Sequence, residues 1–199
     1  MVYHTASVSR GVKETFVIAD MPFLSYGTTQ NALKNSSKLM RNGAKMVKLE
    51  GGHWLSETVY QMSERGIPVC GHLGLTPQSV HKLGGYAIQG ADSKAADKIF
   101  SDAMTLEQAG AQLLVLECIP SSLSKLITKN LQIPVIGIGA GPCTDAQILV
   151  LYDILGISGQ IPRFARNFLL DNNSIISALK NYASAVRNST FPTSEHFVE

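Results

Sequence analysis

The sequence predicts an α/β fold built on a parallel sheet, and two observations support this fold class. Short, almost uninterrupted apolar runs recur along the chain, as expected for strands that are buried on both faces. Helical segments separate the runs, and three of them end at a glycine that is followed directly by the next run. These glycines are Gly43, Gly66 and Gly110, which match the usual junction between a helix and the following strand.

Six apolar runs are the strand candidates. They occupy residues 15–23, 45–52, 67–75, 112–120, 133–141 and, less clearly, 148–157. Helices are predicted over residues 28–44, 55–66, 93–110 and 121–131. The dinucleotide-binding GxGxxG pattern is missing after the first run, which disfavours a doubly wound open sheet and leaves a (β/α) barrel. A complete barrel needs eight βα units and about 250 residues, so the chain looks about two units short.

Length and composition predict one soluble, cytoplasmic domain over residues 1–199. The net charge of +2, without a cluster of lysines and arginines, gives no argument for a nucleic-acid partner. The three cysteines, Cys70, Cys118 and Cys143, lack CxxC spacing, which favours reduced thiols over a structural zinc site. The sequence shows neither a secretion signal nor an apolar run near the ~20 residues of a membrane span.

Ionisable residues end four of the predicted strands. They are Asp20, Lys48 with Glu50, His72, and Glu117. Because the carboxyl ends of parallel strands form the active-site rim, these residues predict a catalytic mouth. Each also has a structural interpretation: Lys48 and Glu50 could pair with each other, Asp20 could cap a helix, and His72 could donate to a core carbonyl. Glu117 is hardest to explain in that way, because a partly desolvated carboxylate among apolar neighbours suits a general base.

The two carboxylates on neighbouring strands predict a metal site. Asp20 and Glu50 offer hard oxygen ligands without cysteine or paired histidines, a set that suits Mg²⁺. Beside Lys48, such an ion would stabilise the developing enolate of a 2-oxo acid while Glu117 removes the proton. The glycine-rich stretch 137–141 could bind phosphate, or could let the backbone approach another substrate or a neighbouring strand.

Several phrases closely resemble the ketopantoate hydroxymethyltransferase family. They are ADMPFLSY, KLEGG, PVCGHLGLTPQSV, GGYAIQG, LLVLECIP and PVIGIGAG, and the similarity continues through FARNF to the tail FPTSEHF. The resemblance implies a TIM-type (β/α)₈ barrel of the phosphoenolpyruvate/pyruvate superfamily. It also implies transfer of a hydroxymethyl group from 5,10-methylenetetrahydrofolate to 3-methyl-2-oxobutanoate, which gives 2-dehydropantoate in pantothenate and coenzyme A biosynthesis.

The resemblance also implies roles for the residues at the strand ends. Asp20 would bind Mg²⁺ and contact the keto acid, Lys48 would bind the keto acid, and Glu50 would be the second metal ligand. Glu117 would be the proton acceptor, and His72 lies in a motif that lines the pocket. The family commonly forms decamers, which implies a homo-oligomer.

One departure from the family pattern concerns a Gly-Asp-Ser phrase whose Asp is a metal ligand at the end of an earlier strand. No such phrase precedes Asp20. We therefore expect an N-terminally truncated barrel without its first two βα units, which folds poorly alone and turns over little or no keto acid. Two alternatives remain: an inactive remnant or incorrectly delimited gene product of this family, and a Mg²⁺-dependent 2-oxo acid lyase or mutase of the same superfamily.

Overall fold

The computed structural model describes residues 1–172 and 174–199. Its α-helices are α1 (Val2–Gly11), α2 (Thr29–Arg41), α3 (Ser56–Ser63), α4 (Val80–Leu83), α5 (Ser93–Gln108), α6 (Ser121–Asn130), α7 (Leu151–Ile154) and α8 (Ile175–Arg187). Short 3₁₀ turns cover His53–Leu55, Pro77–Ser79 and Ser194–His196. Within these described ranges, no helix combines the length and apolar composition that crossing a membrane would require.

The six strands form one parallel sheet. They are β1 (Ile18–Asp20), β2 (Met46–Glu50), β3 (Val69–Gly74), β4 (Leu113–Glu117), β5 (Val135–Ile138) and β6 (Ala146–Gln147). Their order in the sheet follows their order in the chain, and all five pairings are parallel. A doubly wound sheet would reverse its order at a switch point, whereas consecutive order is that of a TIM-type barrel wall. The predicted fold class is therefore confirmed, and β1 and β6 are the edges of the described sheet.

Strand alternation separates two apolar layers on opposite faces of the sheet. One face packs against α2, α3, α5 and α6 through buried residues that include Val47, Leu49, Leu114, Leu116, Leu106 and Ile127. The other face carries Met46, Cys70, Val115 and Ile138, which pack with the C-terminal third of the chain through Leu149, Ile154, Phe168 and Phe191. Side chains two positions apart on a strand point to the same face of the sheet. The residues two positions after Met46, Cys70 and Val115 therefore lie on the same face as these three. That face holds the charged groups described below.

Helix ends follow the local sequence signals. The side chains of Thr28 and Asp92 cap α2 and α5 by accepting a hydrogen bond from a first-turn backbone N–H. Gly43, Gly66 and Gly110 adopt positive φ angles, as predicted for glycines at the junction between helix and strand. The four predicted helices are confirmed as α2, α3, α5 and α6 within a few residues at their ends.

The sixth strand prediction, over residues 148–157, is wrong. The strand in this region is β6, which ends at Gln147, and the apolar run that follows contains α7. Leu149, Ile154 and Leu155 are buried while Leu151 is half exposed, so the run has one buried side at roughly helical spacing. A short apolar run does not by itself distinguish a strand from a buried helical turn.

Leu114, which is fully buried in β4, should contribute strongly to stability. Leu114→Ala removes buried methyl groups and leaves a cavity, so we expect the free energy of unfolding to fall by about 2–5 kcal/mol in urea titrations. The matched control is Leu170→Ala, whose side chain is 81% exposed and should change this free energy by less than about 0.5 kcal/mol. Equal effects of the two substitutions would contradict the assignment of this layer as the core.

Candidate active site

The five residues predicted from the strand ends line one cavity of about 430 Å³. The strand register explains why they meet: Asp20 pairs with Lys48 across β1 and β2, and Glu50 pairs with His72 across β2 and β3. Glu117 lies two residues further along β4 than Val115, which is the partner of His72, and is therefore opposite Gly74. All five lie at the carboxyl end of the sheet and on the same face. The other residues of the cavity are Pro77, Gln78, Val115, Ile138, Ile148, Leu149 and Val150.

The ammonium group of Lys48 lies at the centre of the charged cluster. Its Nζ atom is 3.0 Å from Asp20 Oδ1, 3.5 Å from Glu50 Oε1 and 3.1 Å from His72 Nδ1. The contact with Asp20 is an ion pair whose angles fall short of a hydrogen bond, so the buried Oδ1 atom accepts none within the described chain. Lys48 therefore links two carboxylates and the imidazole ring in one network.

His72 connects Lys48 to Glu117. An ammonium group can only donate, so His72 Nδ1 accepts from Lys48 and the ring proton lies on Nε2. Nε2 lies 3.1 Å from Glu117 Oε2, at an angle that falls short of a hydrogen bond. Both ring nitrogens thus face charged side chains, and the interpretation of His72 as a core histidine that donates to a backbone carbonyl is wrong.

A turn after β3 fixes the direction of the Glu50 carboxylate. The backbone N–H of Gln78 donates to Glu50 Oε2 at 2.9 Å. The Gln78 side chain is held at both ends: its Nε2 donates to the Met21 carbonyl at 2.9 Å, and its Oε1 accepts from the Tyr26 hydroxyl at 2.8 Å. The Glu50 N–H in turn donates to the Tyr26 hydroxyl at 3.3 Å. One set of hydrogen bonds therefore joins the ends of β1, β2 and β3 behind Glu50.

The uncharged groups behind the cluster keep their protons. Burial raises the pKa of Tyr26 to about 12, opposed by its hydrogen bond to the Glu50 backbone and assisted by the Glu50 and Asp20 carboxylates. Burial also raises the pKa of the Cys70 thiol to about 12, although Lys48 opposes this. Cys70 is paired with Lys48 across β2 and β3, so the lysine has a neutral thiol beside it. Neither Tyr26 nor Cys70 therefore adds negative charge to the site.

Backbone strain marks the position directly after Glu117. Cys118 is buried and has a φ angle of +48°, in the left-handed region that non-glycine residues seldom adopt. Hydrogen bonds hold the chain on both sides, because Glu117 O accepts from Leu75 N and Cys118 O accepts from Gln89 N. Such strain persists only where surrounding contacts over-determine it, which is common at functional sites.

The family model for ketopantoate hydroxymethyltransferase matches residues 1–194 of this chain. The chain belongs to this family. The 3-methyl-2-oxobutanoate hydroxymethyltransferase of Shewanella sp. (strain MR-4) is 59% identical to it over 197 residues, which are 98% of this chain and 75% of that protein. The enzyme of the same name from Shewanella loihica (strain ATCC BAA-1088 / PV-4) is 58% identical with the same coverage.

Solved structures with a similar fold have much less similar sequences. The 2,3-dimethylmalate lyase of the PEP mutase/isocitrate lyase superfamily aligns with a TM-score of 0.55 at 15% identity, over 93% of this chain and 76% of that one. A phosphonopyruvate hydrolase aligns with a TM-score of 0.55 at 11% identity, over 96% and 78% of the two chains. At these identities the likeness concerns the fold alone, and it agrees with the barrel wall described above.

The carboxylates of the site are side chains of the type that binds divalent cations. Asp20 Oδ1 is a buried oxygen without a hydrogen bond, and Glu50 offers a second carboxylate across the Lys48 ammonium. Mg²⁺ is commonly held by one or two carboxylates, with water and substrate oxygens as its other ligands. No group of three or more His, Cys, Asp and Glu side chains suited to a metal is found within residues 1–172 and 174–199. Asp20 and Glu50 are thus the residues that would hold such an ion.

Sequence reasoning missed the residues that support the site. Tyr26 and Gln78 were not singled out, although Gln78 lies in the phrase GHLGLTPQS that carried the resemblance. Their partners are distant in sequence, and a single sequence gives no signal for such pairings. Leu149 and Val150 were assigned to a strand, whereas they line the cavity beside Val115.

Tyr26→Phe should reduce the loss of stability at alkaline pH. The unfolded chain releases the tyrosine proton near the ordinary pKa of 10.0 and the folded chain near about 12, so this contribution is complete below pH 10 and is lost as the pH rises towards 12. Urea unfolding at several pH values from about 9 to about 11 measures it, and the parent should lose more free energy of unfolding than the variant. Tyr86→Phe, at a tyrosine that is 74% exposed, is the control. A pH dependence identical to that of the parent would argue against a buried, protonated Tyr26.

Proposed function

We propose that the protein transfers a hydroxymethyl group from 5,10-methylenetetrahydrofolate to 3-methyl-2-oxobutanoate, giving 2-dehydropantoate for pantothenate biosynthesis. The main support is one arrangement: the buried Glu117, contacted by His72, faces Lys48 and two further carboxylates across a cavity of about 430 Å³. The names of the relatives at 57–59% identity agree with this reaction.

The cavity suits a small branched oxo acid. Lys48 provides the positive charge that a substrate carboxylate requires, and Asp20 lies beside it at the rim. Val115, Ile138 and Leu149 form an apolar wall that can pack against the branched end of 3-methyl-2-oxobutanoate. The substrate would lie with its carboxylate towards Lys48 and its C3 atom towards Glu117.

Asp20 and Glu50 would hold Mg²⁺. When bound, the ion supplies positive charge beside the keto oxygen of the substrate and so favours loss of the neighbouring proton. Gln78 keeps the Glu50 carboxylate directed into the cavity by donating from its backbone N–H. Supporting contacts of this kind commonly tune metal affinity.

Glu117 would act as the general base. It takes the proton from C3 of the oxo acid, and the resulting electron pair forms a bond to the methylene carbon carried by the folate. One of the two bonds between that carbon and the folate nitrogens breaks as the C–C bond forms, and the oxygen of water replaces the second. The proton taken from C3 and one proton of the water end on the two nitrogens, and tetrahydrofolate leaves. His72 assists by directing its Nε2–H towards Glu117, since Lys48 holds the proton on that side of the ring.

Two other activities remain as competing proposals. A Mg²⁺-dependent lyase or mutase of the same superfamily would use the same carboxylates without folate, and product analysis with and without 5,10-methylenetetrahydrofolate separates it from the transferase. A non-catalytic member is supported by a different observation: the described sheet has unpaired edges at β1 and β6, and two carboxylates form its candidate metal site. Absence of C3 proton exchange in the parent chain would favour the non-catalytic member.

We propose a single-domain, cytoplasmic homo-oligomer that binds the oxo acid and the folate, without nucleic-acid or membrane partners. The large exposed apolar side chains are the candidates for the contacts of such an assembly. Examples are Phe16, Phe23, Trp54 and Tyr152.

Glu117→Gln should abolish proton removal while it preserves the shape of the side chain. We expect exchange of the C3 proton of 3-methyl-2-oxobutanoate in D₂O, followed by NMR with Mg²⁺ and without folate, to slow by at least about 100-fold. Hydroxymethyl transfer should fall in parallel. Glu64→Gln, at an exposed position after α3, is the matched control and should exchange like the parent. Unchanged exchange in Glu117→Gln would remove Glu117 from this role.

Asp20→Asn and Glu50→Gln should each weaken divalent cation binding by at least about tenfold, because each removes one charged oxygen ligand. Mn²⁺ is the probe, and the electron paramagnetic resonance signal of free Mn²⁺ measures the bound fraction. Asp97→Asn, at an exposed position of α5, controls for loss of one negative charge. If all three variants bound Mn²⁺ like the parent, the metal would have to be assigned elsewhere.

A further inference from the structure

A second polar cavity, of about 560 Å³, lies outside the site described above. It is formed between the segment around residues 163–166 and the C-terminal turn Ser194–His196. Its lining residues are Arg163, Ala165, Arg166, Thr193, Glu195 and His196. Two guanidinium groups and a histidine thus meet in one concave surface, and the proposed chemistry at Glu117 uses none of them.

The contacts of His196 fix the position of its ring proton. The residue is only 7% exposed, and its ring packs in an edge arrangement with the Phe191 ring, with centroids 4.9 Å apart. Nδ1 accepts from the backbone N–H of Thr193 at 3.1 Å and contacts the Thr193 hydroxyl at 2.7 Å. The ring proton therefore lies on Nε2, on the edge away from Thr193, and this N–H has no hydrogen-bond partner in the described part of the chain. Burial lowers the pKa of His196, although Glu195 opposes this, so the ring stays neutral and keeps this arrangement.

Both arginines are held in place by neighbouring groups. Arg163 donates from Nε to the Glu195 carbonyl at 2.9 Å, and it has no carboxylate within ion-pair distance among the residues described. Arg166 lies over the Phe168 ring, 5.1 Å from its centroid, and forms an ion pair with Asp171 at 3.1 Å. These contacts orient the guanidinium groups and leave further N–H donors on each, since a guanidinium carries five.

The charge of the lining favours an anion. Arg163 and Arg166 carry two positive charges, and Glu195 is the carboxylate in the lining. Asp171, outside the lining, pairs with Arg166, so Arg163 is the guanidinium group without a carboxylate partner among the described residues. Glu195 Oε1 accepts a hydrogen bond from the Thr193 hydroxyl at 3.1 Å. Planar guanidinium groups bind carboxylate and phosphate oxygens through paired N–H donors, and a neutral imidazole N–H adds one more.

The segments that line the second cavity pack near the carboxyl end of the sheet, where the active site lies. Ile138 is paired with Glu117 across β4 and β5, and the next residue, Gly139, packs against Phe164 beside Arg163. The C-terminal segment is tied to the same end, because Ser121 at the start of α6 donates to the Val198 carbonyl at 2.7 Å. A molecule that reacts near Glu117 can therefore extend past the end of β5 towards the arginines.

We propose that Arg163, Arg166 and His196 form an oxyanion-binding site that binds a carboxylate of the glutamate tail of the folate co-substrate. The choice of folate as the source of the carboxylate rests on the proposed function; the oxyanion chemistry does not. A free anion such as inorganic phosphate offers the same chemistry, and the experiment distinguishes the two sources.

Isothermal titration calorimetry on the full chain tests the site with three probes. They are tetrahydrofolate, tetrahydropterin without the glutamate tail, and inorganic phosphate. The double variant Arg163→Met with Arg166→Met should weaken tetrahydrofolate binding by about tenfold or more and leave tetrahydropterin binding unchanged. Glu195→Gln should strengthen tetrahydrofolate binding a few-fold, because it removes the opposing charge. Arg41→Met, at an exposed arginine near the end of α2, is the matched control, and urea unfolding checks that every variant folds.

Each outcome decides between the parts of the proposal. Loss of phosphate binding in the double variant, with tetrahydrofolate binding unchanged, supports the oxyanion site and assigns it to a free anion. A parent that binds phosphate through these arginines but binds no tetrahydrofolate supports the site and overturns the proposed co-substrate. A double variant that binds all three probes like the parent, or a parent that binds neither anion, overturns the site.

Discussion

The charged cluster depends on one interaction, the contact of the Lys48 ammonium with Asp20, Glu50 and His72. Two carboxylates this close repel each other in a partly buried place, and the ammonium between them offsets that repulsion. The same group decides which nitrogen of His72 carries the proton, and so what His72 presents to Glu117. One positive charge therefore organises both halves of the cavity, the acidic rim and the candidate base.

The sheet register makes this arrangement possible. Asp20 with Lys48, and Glu50 with His72, are direct neighbours across parallel strands. Side chains at such positions point to the same face, and here that face is the one that packs with the C-terminal third of the chain. The hydrogen bonds of Tyr26 and Gln78 behind Glu50 further connect the ends of β1, β2 and β3.

Much of the site could be predicted from sequence because its signal is local. An apolar run that ends in an ionisable residue marks a strand end, and all five residues found in this way line one cavity. Prediction failed where the signal is not local. The run after Gln147 has the composition of a strand and contains a short helix, and Tyr26 meets Gln78 only through the fold. The oxyanion-binding cavity joins residues about thirty positions apart, which no local pattern connects.

The set of hydrogen bonds around Gln78 bears on which sequences this site tolerates. The bond to Glu50 comes from the main chain, so its donor survives a change of side chain. The side chain is more constrained, because it accepts from Tyr26 at one end and donates to Met21 at the other, which an amide can do and a carboxylate cannot. A shorter amide would not span the same gap. Natural variation at Gln78 should therefore be narrow for a residue with no assigned part in the chemistry, and it should covary with the residue at Tyr26.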